Sequence, residues 1–356
     1  MTDPISSVSK SIVKLKISNF TDIVDNSSSS TDVPVTFINP ELLNVYGPMS
    51  TEDISKADDL LKNRWSKGTS EVYARSWNLF IQFLQFKYPI ISRSEIQEGH
   101  ILSYITHMQG RELKYSTIQC RLYAILHHMQ DMNIDMRKIT PHIEGLKRTI
   151  GTQQKHKNPI LITHLHRMIN TIPPEGTARQ LQDRALLLVM WHTGMRREES
   201  ANLQWEDIKI VPGGINILIK RSKGDQEGKG QYTNIVPGDV GYCPVLNLLD
   251  WQSKCGGTGY IWRTINGENN ITDRPISPTA IYNRVKKFTV AIGMDKSEFS
   301  PHSMRAGLIT EGFNNNTPIH IIQAQSRHSN IATLNSYAQV SDKIRQNIGN
   351  YIRGKK

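Results

Sequence analysis

Four short segments hold the side chains best suited to phosphate chemistry. Thr193-Gly-Met-Arg-Arg-Glu-Glu199 places Arg196 just past a glycine turn, at the start of a helix. A guanidinium keeps its charge and offers a planar fork to phosphate oxygens. Glu199, three residues on, is spaced to orient it. Lys220-Arg-Ser-Lys-Gly-Asp-Gln-Glu-Gly-Lys-Gly230 sets lysines on a glycine-rich turn. An ammonium beside a phosphate is a usable acid for a departing alkoxide. Ser300-Pro-His-Ser-Met-Arg305 reads as a helix start, with Ser300 as N-cap, Pro301 in the first turn, and His302 and Arg305 on one face. A helix N-terminus carries about half a positive charge and free N–H groups, so it favours an anion. In Ser326-Arg-His-Ser-Asn-Ile-Ala-Thr-Leu-Asn-Ser-Tyr337, His328 and Tyr337 stand nine residues apart. A tyrosine oxygen can attack phosphorus, and the phosphotyrosine keeps the phosphodiester bond energy for rejoining.

Read singly, each segment also has a plain structural meaning: an ion pair, a solvated turn, a capped helix, a packed or surface tyrosine. Read in order, they narrow. Arginine after a Thr-Gly turn, lysine on a hairpin, H-x-x-R at a helix start, then H-x8-Y resembles the tyrosine recombinase, or phage-integrase, family over residues ~70–340. The resemblance implies a helical core-binding domain followed by a catalytic domain. It implies that Arg196 is the first catalytic arginine and Glu199 its acidic companion. Lys223 takes the hairpin lysine position, with Lys229 as the alternative. His302 and Arg305 match the second box, His328 the third-box histidine, and Tyr337 the nucleophile. Where the family often has glycine, before that histidine, this chain has Arg327. The hairpin sequence and the serine-rich N-terminal tract also resemble recombinases of eukaryotic mobile elements.

The implied activity is site-specific cutting and rejoining of double-stranded DNA through a 3′-phosphotyrosine. It calls for no metal, cofactor or ATP, because arginines take the part a divalent ion plays in many nucleases. Self-association is implied too: a dimer on a site and a tetramer in the synapse. The rival readings are a type IB-like topoisomerase, with the same chemistry on one duplex, and a domesticated DNA-binding protein without catalysis. RNA binding finds no aromatic RNP-type strand to support it.

The elements that must position these groups are mostly helical. Between residues 49 and 150 four apolar faces recur at spacings of three and four: Tyr73, Trp77, Phe80, Ile81 and Leu84; Ile101, Leu102, Ile105 and Met108; Ile118, Leu122, Ile125 and Met129; Ile143, Leu146 and Ile150. Thr69 and Ser116 are expected caps, and Thr140-Pro141 an expected helix start. Residues 151–160 lack periodicity and read as a linker. From 161 to 340 the pattern is mixed. A buried helix spans Gln180 to His192, and a second is expected from Met195 past Leu203 to Trp205. Ile215, Ile217 and Ile219 alternate as a strand, with Tyr232 to Val236 returning. Helices are expected around Pro244 to Gln252, from Pro278 to Ile292, and from Pro301. The expected fold class is therefore mainly α with a small antiparallel sheet. Ile344, Ile348, Tyr351 and Ile352 suggest a terminal helix within 341–356 that docks in cis or on a neighbouring subunit.

Charge agrees with a polyanionic partner. The chain has 356 residues and a formal net charge of +11. Residues 1–48 carry −2 and read as a disordered or subunit-docking tail, leaving +13 on the rest. Three cysteines, Cys120, Cys243 and Cys255, are too few for a disulfide framework or a four-ligand zinc site. No apolar run approaches the ~20 residues of a bilayer span, so no membrane partner is expected. The expected compartment is intracellular: the nucleus if the host is eukaryotic, otherwise the cytoplasm or nucleoid.

Overall fold

The computed structural model describes residues 64–153, 157–222, 225, 227–335 and 337, with Asp53, Lys56 and Leu60 as isolated positions before them. The expected N-terminal tail, the C-terminal helix within 341–356, and Lys223 lie outside the described residues.

Helices α1 (Lys67–Lys87), α2 (Glu98–Gly110), α3 (Tyr115–His128) and α4 (Met136–Ile150) form a bundle around their own core. Phe80, Leu84, Ile101, Ile105, Met108, Ile118, Leu122, Ile125 and Leu146 are buried there, as their spacing requires. Phe83 joins them, and both it and Phe80 pack on Tyr104, with ring centroids 5.0 and 5.2 Å apart.

Three expected caps shift. α1 begins at Lys67 and α3 at Tyr115, so Thr69 and Ser116 sit inside first turns. α4 begins at Met136, where Asp135 accepts the Arg137 N–H at 3.0 Å, and Pro141 lies inside the helix. The carboxylate cap, five residues earlier, fixes the start; the proline only deprives the Arg137 carbonyl of its partner.

The larger, mixed part is built around α6 (Ala178–Thr193), a helix buried on every side. Ala185, Leu186, Val189 and Met190 face a cluster with Ile215, Ile217, Ile219, Leu248, Trp251 and Trp262. Leu187, Leu188 and Trp191 face a second cluster with Leu165, Met168, Val285, Phe288 and Met304. Apart from Trp262, which precedes the second hairpin, those partners come from α5 (Ile162–Asn170), α8 (Pro244–Cys255), α9 (Pro278–Ala291), α10 (Pro301–Asn314) and an antiparallel sheet. Its strands are β1 (Ile208–Val211), β2 (Gly214–Ile219) and β3 (Gln231–Ile235), with Ile217 opposite Thr233. A second hairpin joins β4 (Arg263–Ile265) to β5 (Ile271–Pro275).

After α6 the chain forms only a short helix, α7 (Arg197–Ala201), not the longer one expected to Trp205. Leu203 and Trp205, two apart as on a strand, are buried where the chain pairs with the segment near Gly259 and Ile261. Residues 157–160 are tied down rather than loose. Asn158 N–H donates to Glu298 O, and Ile160 N–H to Ser303 O at 2.8 Å. Ile160 O in turn accepts the Trp191 indole N–H at 2.7 Å. Two short helices, α11 (Ile319–Ser326) and α12 (Ile331–Asn335), close the described chain ahead of Tyr337.

Candidate active site

Gly194 ends α6 in the left-handed conformation, with φ of 58°. A Cβ there would stand 3.1 Å from Leu308, so glycine serves both the turn and the close approach of α10. The turn throws Arg196 onto the N-cap of α7. Glu199 closes the cap, accepting the Arg196 backbone N–H at 3.0 Å and its guanidinium at 2.6 Å. One carboxylate thus fixes both the backbone and the side chain of Arg196.

α10 begins at Pro301 after Ser300. The expected cap by the Ser300 hydroxyl is not made; Ser303 Oγ accepts the Ser300 N–H instead, at 3.0 Å. Arg305, one turn in, is 1% exposed. It donates to Gly194 O at 2.7 Å and points Nη2 at the His328 ring, 3.2 and 3.3 Å from its two nitrogens. His302, on the exposed side, places Nε2 2.6 Å from Tyr337 Oη. Tyr337 packs against the small cluster of Ile309, Ile322 and Leu334 with its phenol turned inward.

Burial and charge tune these groups. Burial, with Arg196 and Arg327 nearby, brings Arg305 down to about 9, still charged at neutral pH. Burial and then Arg305 and Arg196 push His328 down to about 3, so its imidazole is neutral. Burial raises the Tyr337 phenol against the pull of Arg305 and Arg196, so its proton needs an acceptor to leave. For Glu199 the largest influence, burial, would raise the carboxyl. Arg327 and the N–H and guanidinium of Arg196 outweigh it and hold the group below the usual range.

The neutral His328 has a defined tautomer. Ser326 Oγ donates to Ile322 O at 2.6 Å and stands 2.8 Å from His328 Nδ1. With its one proton committed, the hydroxyl accepts from Nδ1–H, which leaves the lone pair on Nε2.

Arg196, Glu199, His302, Arg305, His328 and Tyr337 are therefore brought together. Lys229 is not among them: its ammonium pairs with Glu227 at 2.8 Å on an exposed turn. The turn itself is pinned by Asp225, which accepts the N–H groups of Lys229 and Gly230. Ser222 and Asp225 exchange backbone hydrogen bonds on either side of Lys223.

Sequence reasoning missed Arg327. It takes a left-handed backbone, φ 56° and ψ 44°, at the end of α11. That conformation costs a side-chain-bearing residue about 1–2 kcal/mol. The guanidinium is 2% exposed, donates to Thr193 O at 2.9 Å, and meets Glu199 Oε2 at 2.8 Å. The signal lay in the position itself, where the resemblance led one to expect glycine. Three guanidiniums thus share this pocket with one paired carboxylate, Glu199, among the described residues. The excess of positive charge suits an anion.

Comparison with known proteins gives this arrangement its class. The fold is similar to that of XerH site-specific recombinase in a post-cleavage complex with palindromic difH substrate, with a TM-score of 0.60 and 17% identity over 80% of each chain. It is also similar to a lambda integrase (75–356) dimer bound to a COC′ core site, with a TM-score of 0.54 and 16% identity, covering 84% of this chain and 98% of that one. In sequence, the chain is 25% identical over 309 residues to an integrase/recombinase xerD homolog of Selenomonas ruminantium, covering 84% of this chain and 89% of the relative. Tyrosine recombinase XerC of Staphylococcus aureus is 21% identical over 287 residues, covering 80% and 89%. Residues 162–343 match the family described as the phage integrase family. The chain belongs to that family, and it is an enzyme of the tyrosine recombinase class.

Proposed function

We propose that this protein binds double-stranded DNA and recombines it at specific sites, with Tyr337 as the attacking group. The observation that carries the reading is the 2.6 Å contact between Tyr337 Oη and His302 Nε2, made beside the buried guanidinium of Arg305. Tyr337 Oη forms a bond to the scissile phosphorus and passes its proton to His302. The bond from phosphorus to the 5′ oxygen breaks, and Lys223 supplies the proton that oxygen needs. A 5′ hydroxyl from a second duplex reverses these steps and joins the new strand.

Arg196 and Arg305 grip the non-bridging oxygens. A phosphodiester carries one negative charge and its pentavalent transition state about two. Three guanidiniums against one carboxylate leave an excess of two positive charges, a closer match to the transition state than to the ground state. His328 adds a donor only after a change. Either the arriving anion raises its basicity and it takes a proton, or Ser326 turns to donate to Nδ1 and the imidazole proton moves to Nε2.

Residues 49–150 act as the core-binding domain, 151–160 connect it, and 161–340 carry the catalytic groups. Dimers on each site and a tetramer in the synapse complete the reaction. The test pairs two assays on DNA selected from a randomised nicked-duplex library by adduct recovery. Joining of strands between two such duplexes is expected. Relaxation of supercoiled plasmid without any exchanged product would give the type IB-like topoisomerase reading instead.

A further inference from the structure

We propose that Arg327 is a positioning residue of the active site: through Glu199 it sets the orientation of Arg196 towards the scissile phosphate. The inference rests on the recombinase reading and deepens it.

The geometry is that of a shared carboxylate. Glu199 turns Oε1 to the Arg196 guanidinium at 2.6 Å and Oε2 to Arg327 at 2.8 Å. Oε2 also accepts the Arg196 backbone N–H. Arg327 is itself held from the far side by Thr193 O and Gln325 O. Thr193 ends α6, and Gln325 donates to His192 O and Asn234 O, so the brace is anchored on α6 and β3. Arg196, by contrast, is half-buried and has no second described partner for its guanidinium. Its direction is therefore set by a carboxylate whose own position is set by Arg327.

The backbone supports the same conclusion. Arg327 holds a left-handed conformation that glycine adopts freely. An arginine persists there with its guanidinium buried against Glu199, so the side chain answers to the carboxylate and not to the turn. The cations facing Glu199 from neighbouring elements are Arg196 from the α7 start, Arg327 from the α11 end, and Arg305 from α10. Without Arg327, a carboxylate buried among fewer cations titrates higher and loses the group that fixes its Oε2, so it holds Arg196 less firmly in place.

The test uses the full chain with Arg327→Gly, Arg327→Lys, Glu199→Gln and the Arg327→Gly/Glu199→Gln pair. Glycine fits the backbone, so the fold is kept. On a nicked duplex recovered by adduct selection, Arg327→Gly should form the covalent adduct about 10²-fold more slowly, the scale of a misplaced catalytic group. Its DNA affinity should stay within about threefold of wild type, and Arg327→Lys should recover part of the rate. Melting curves read the coupling without catalysis. In Arg327→Gly the Glu199 carboxyl is raised relative to wild type, so the stability deficit should be smallest at low pH, where the carboxyl is protonated in both proteins, and widen as pH rises through the lowered wild-type value. Glu199→Gln should abolish that pH dependence. Wild-type rate in Arg327→Gly, or a deficit that ignores both pH and Glu199→Gln, would overturn the proposal. A wild-type protein that makes no adduct would contradict the recombinase reading, and the melting curves would still decide the coupling.

Discussion

Tyr337 Oη and His302 Nε2 stand 2.6 Å apart within one chain. The proposed nucleophile, the imidazole proposed to accept its proton and the buried Arg305 thus belong to the same protomer. That placement makes a prediction about mixtures. Tyr337→Phe and Arg305→Gln should each be inactive in adduct formation, and mixing the two should restore nothing. Recovery of adduct on mixing would show that the tyrosine serves a neighbour's site.

His328 should leave a mark on acid stability. Its imidazole is held at about 3, against about 6.5 in an unfolded chain. The unfolded state therefore takes up the proton first, and stability falls as pH drops from about 6.5 towards 3. His192, brought to about 4 by burial and then by His166, adds to the same slope. In His328→Gln the melting temperature should fall less steeply over that window than in wild type. Equal slopes would mean that His328 titrates normally.

Two glycines separate packing from propensity. A Cβ on Gly307 would lie 1.8 Å from Ile160 O, backbone that is itself tied to Ser303 and Trp191. Gly307→Ala should cost about 3 kcal/mol, the upper end of the overpacking range. Gly145, on the exposed side of α4, has nothing within 4 Å. Gly145→Ala should stabilise by about 0.5–1 kcal/mol. Denaturant unfolding of both variants checks the contrast.

DNA binding should be strongly salt-dependent. With about six phosphate contacts, the logarithm of the binding constant should fall with that of salt at a slope of roughly −5. A fluorescence titration across salt concentrations measures it, and a slope near zero would deny a backbone-gripping surface.

The sequence exposed what periodicity and residue type can carry. Phe80, Ile101, Leu122 and Leu146 announced the bundle core, and Ile215, Ile217 and Ile219 the central strand. The proline and glycine punctuation around Arg196 and Arg305 located two helix starts. Periodicity failed where long-range contacts decide. Leu203 and Trp205 stand two apart, a strand spacing, and their burial comes from pairing with the Gly259–Ile261 segment, which no local pattern announces. β1 was hidden because Ile208 to Val211 is short and lies at the sheet edge. The partnership of Arg327 with Glu199, residues 128 positions apart, could not be read from either segment alone. Nor could the Ser326 hydroxyl that fixes the His328 tautomer, since only the folded end of α11 brings it to Nδ1.

The recombinase reading requires that Tyr337 become joined to DNA. The direct measurement is to trap the adduct on a nicked duplex, digest protein and DNA, and weigh the linked peptide by mass spectrometry. A nucleotide attached through a 3′ phosphate to the peptide containing Tyr337, and its loss in Tyr337→Phe, is the result expected. An adduct on another residue, or one that survives Tyr337→Phe, would contradict the account.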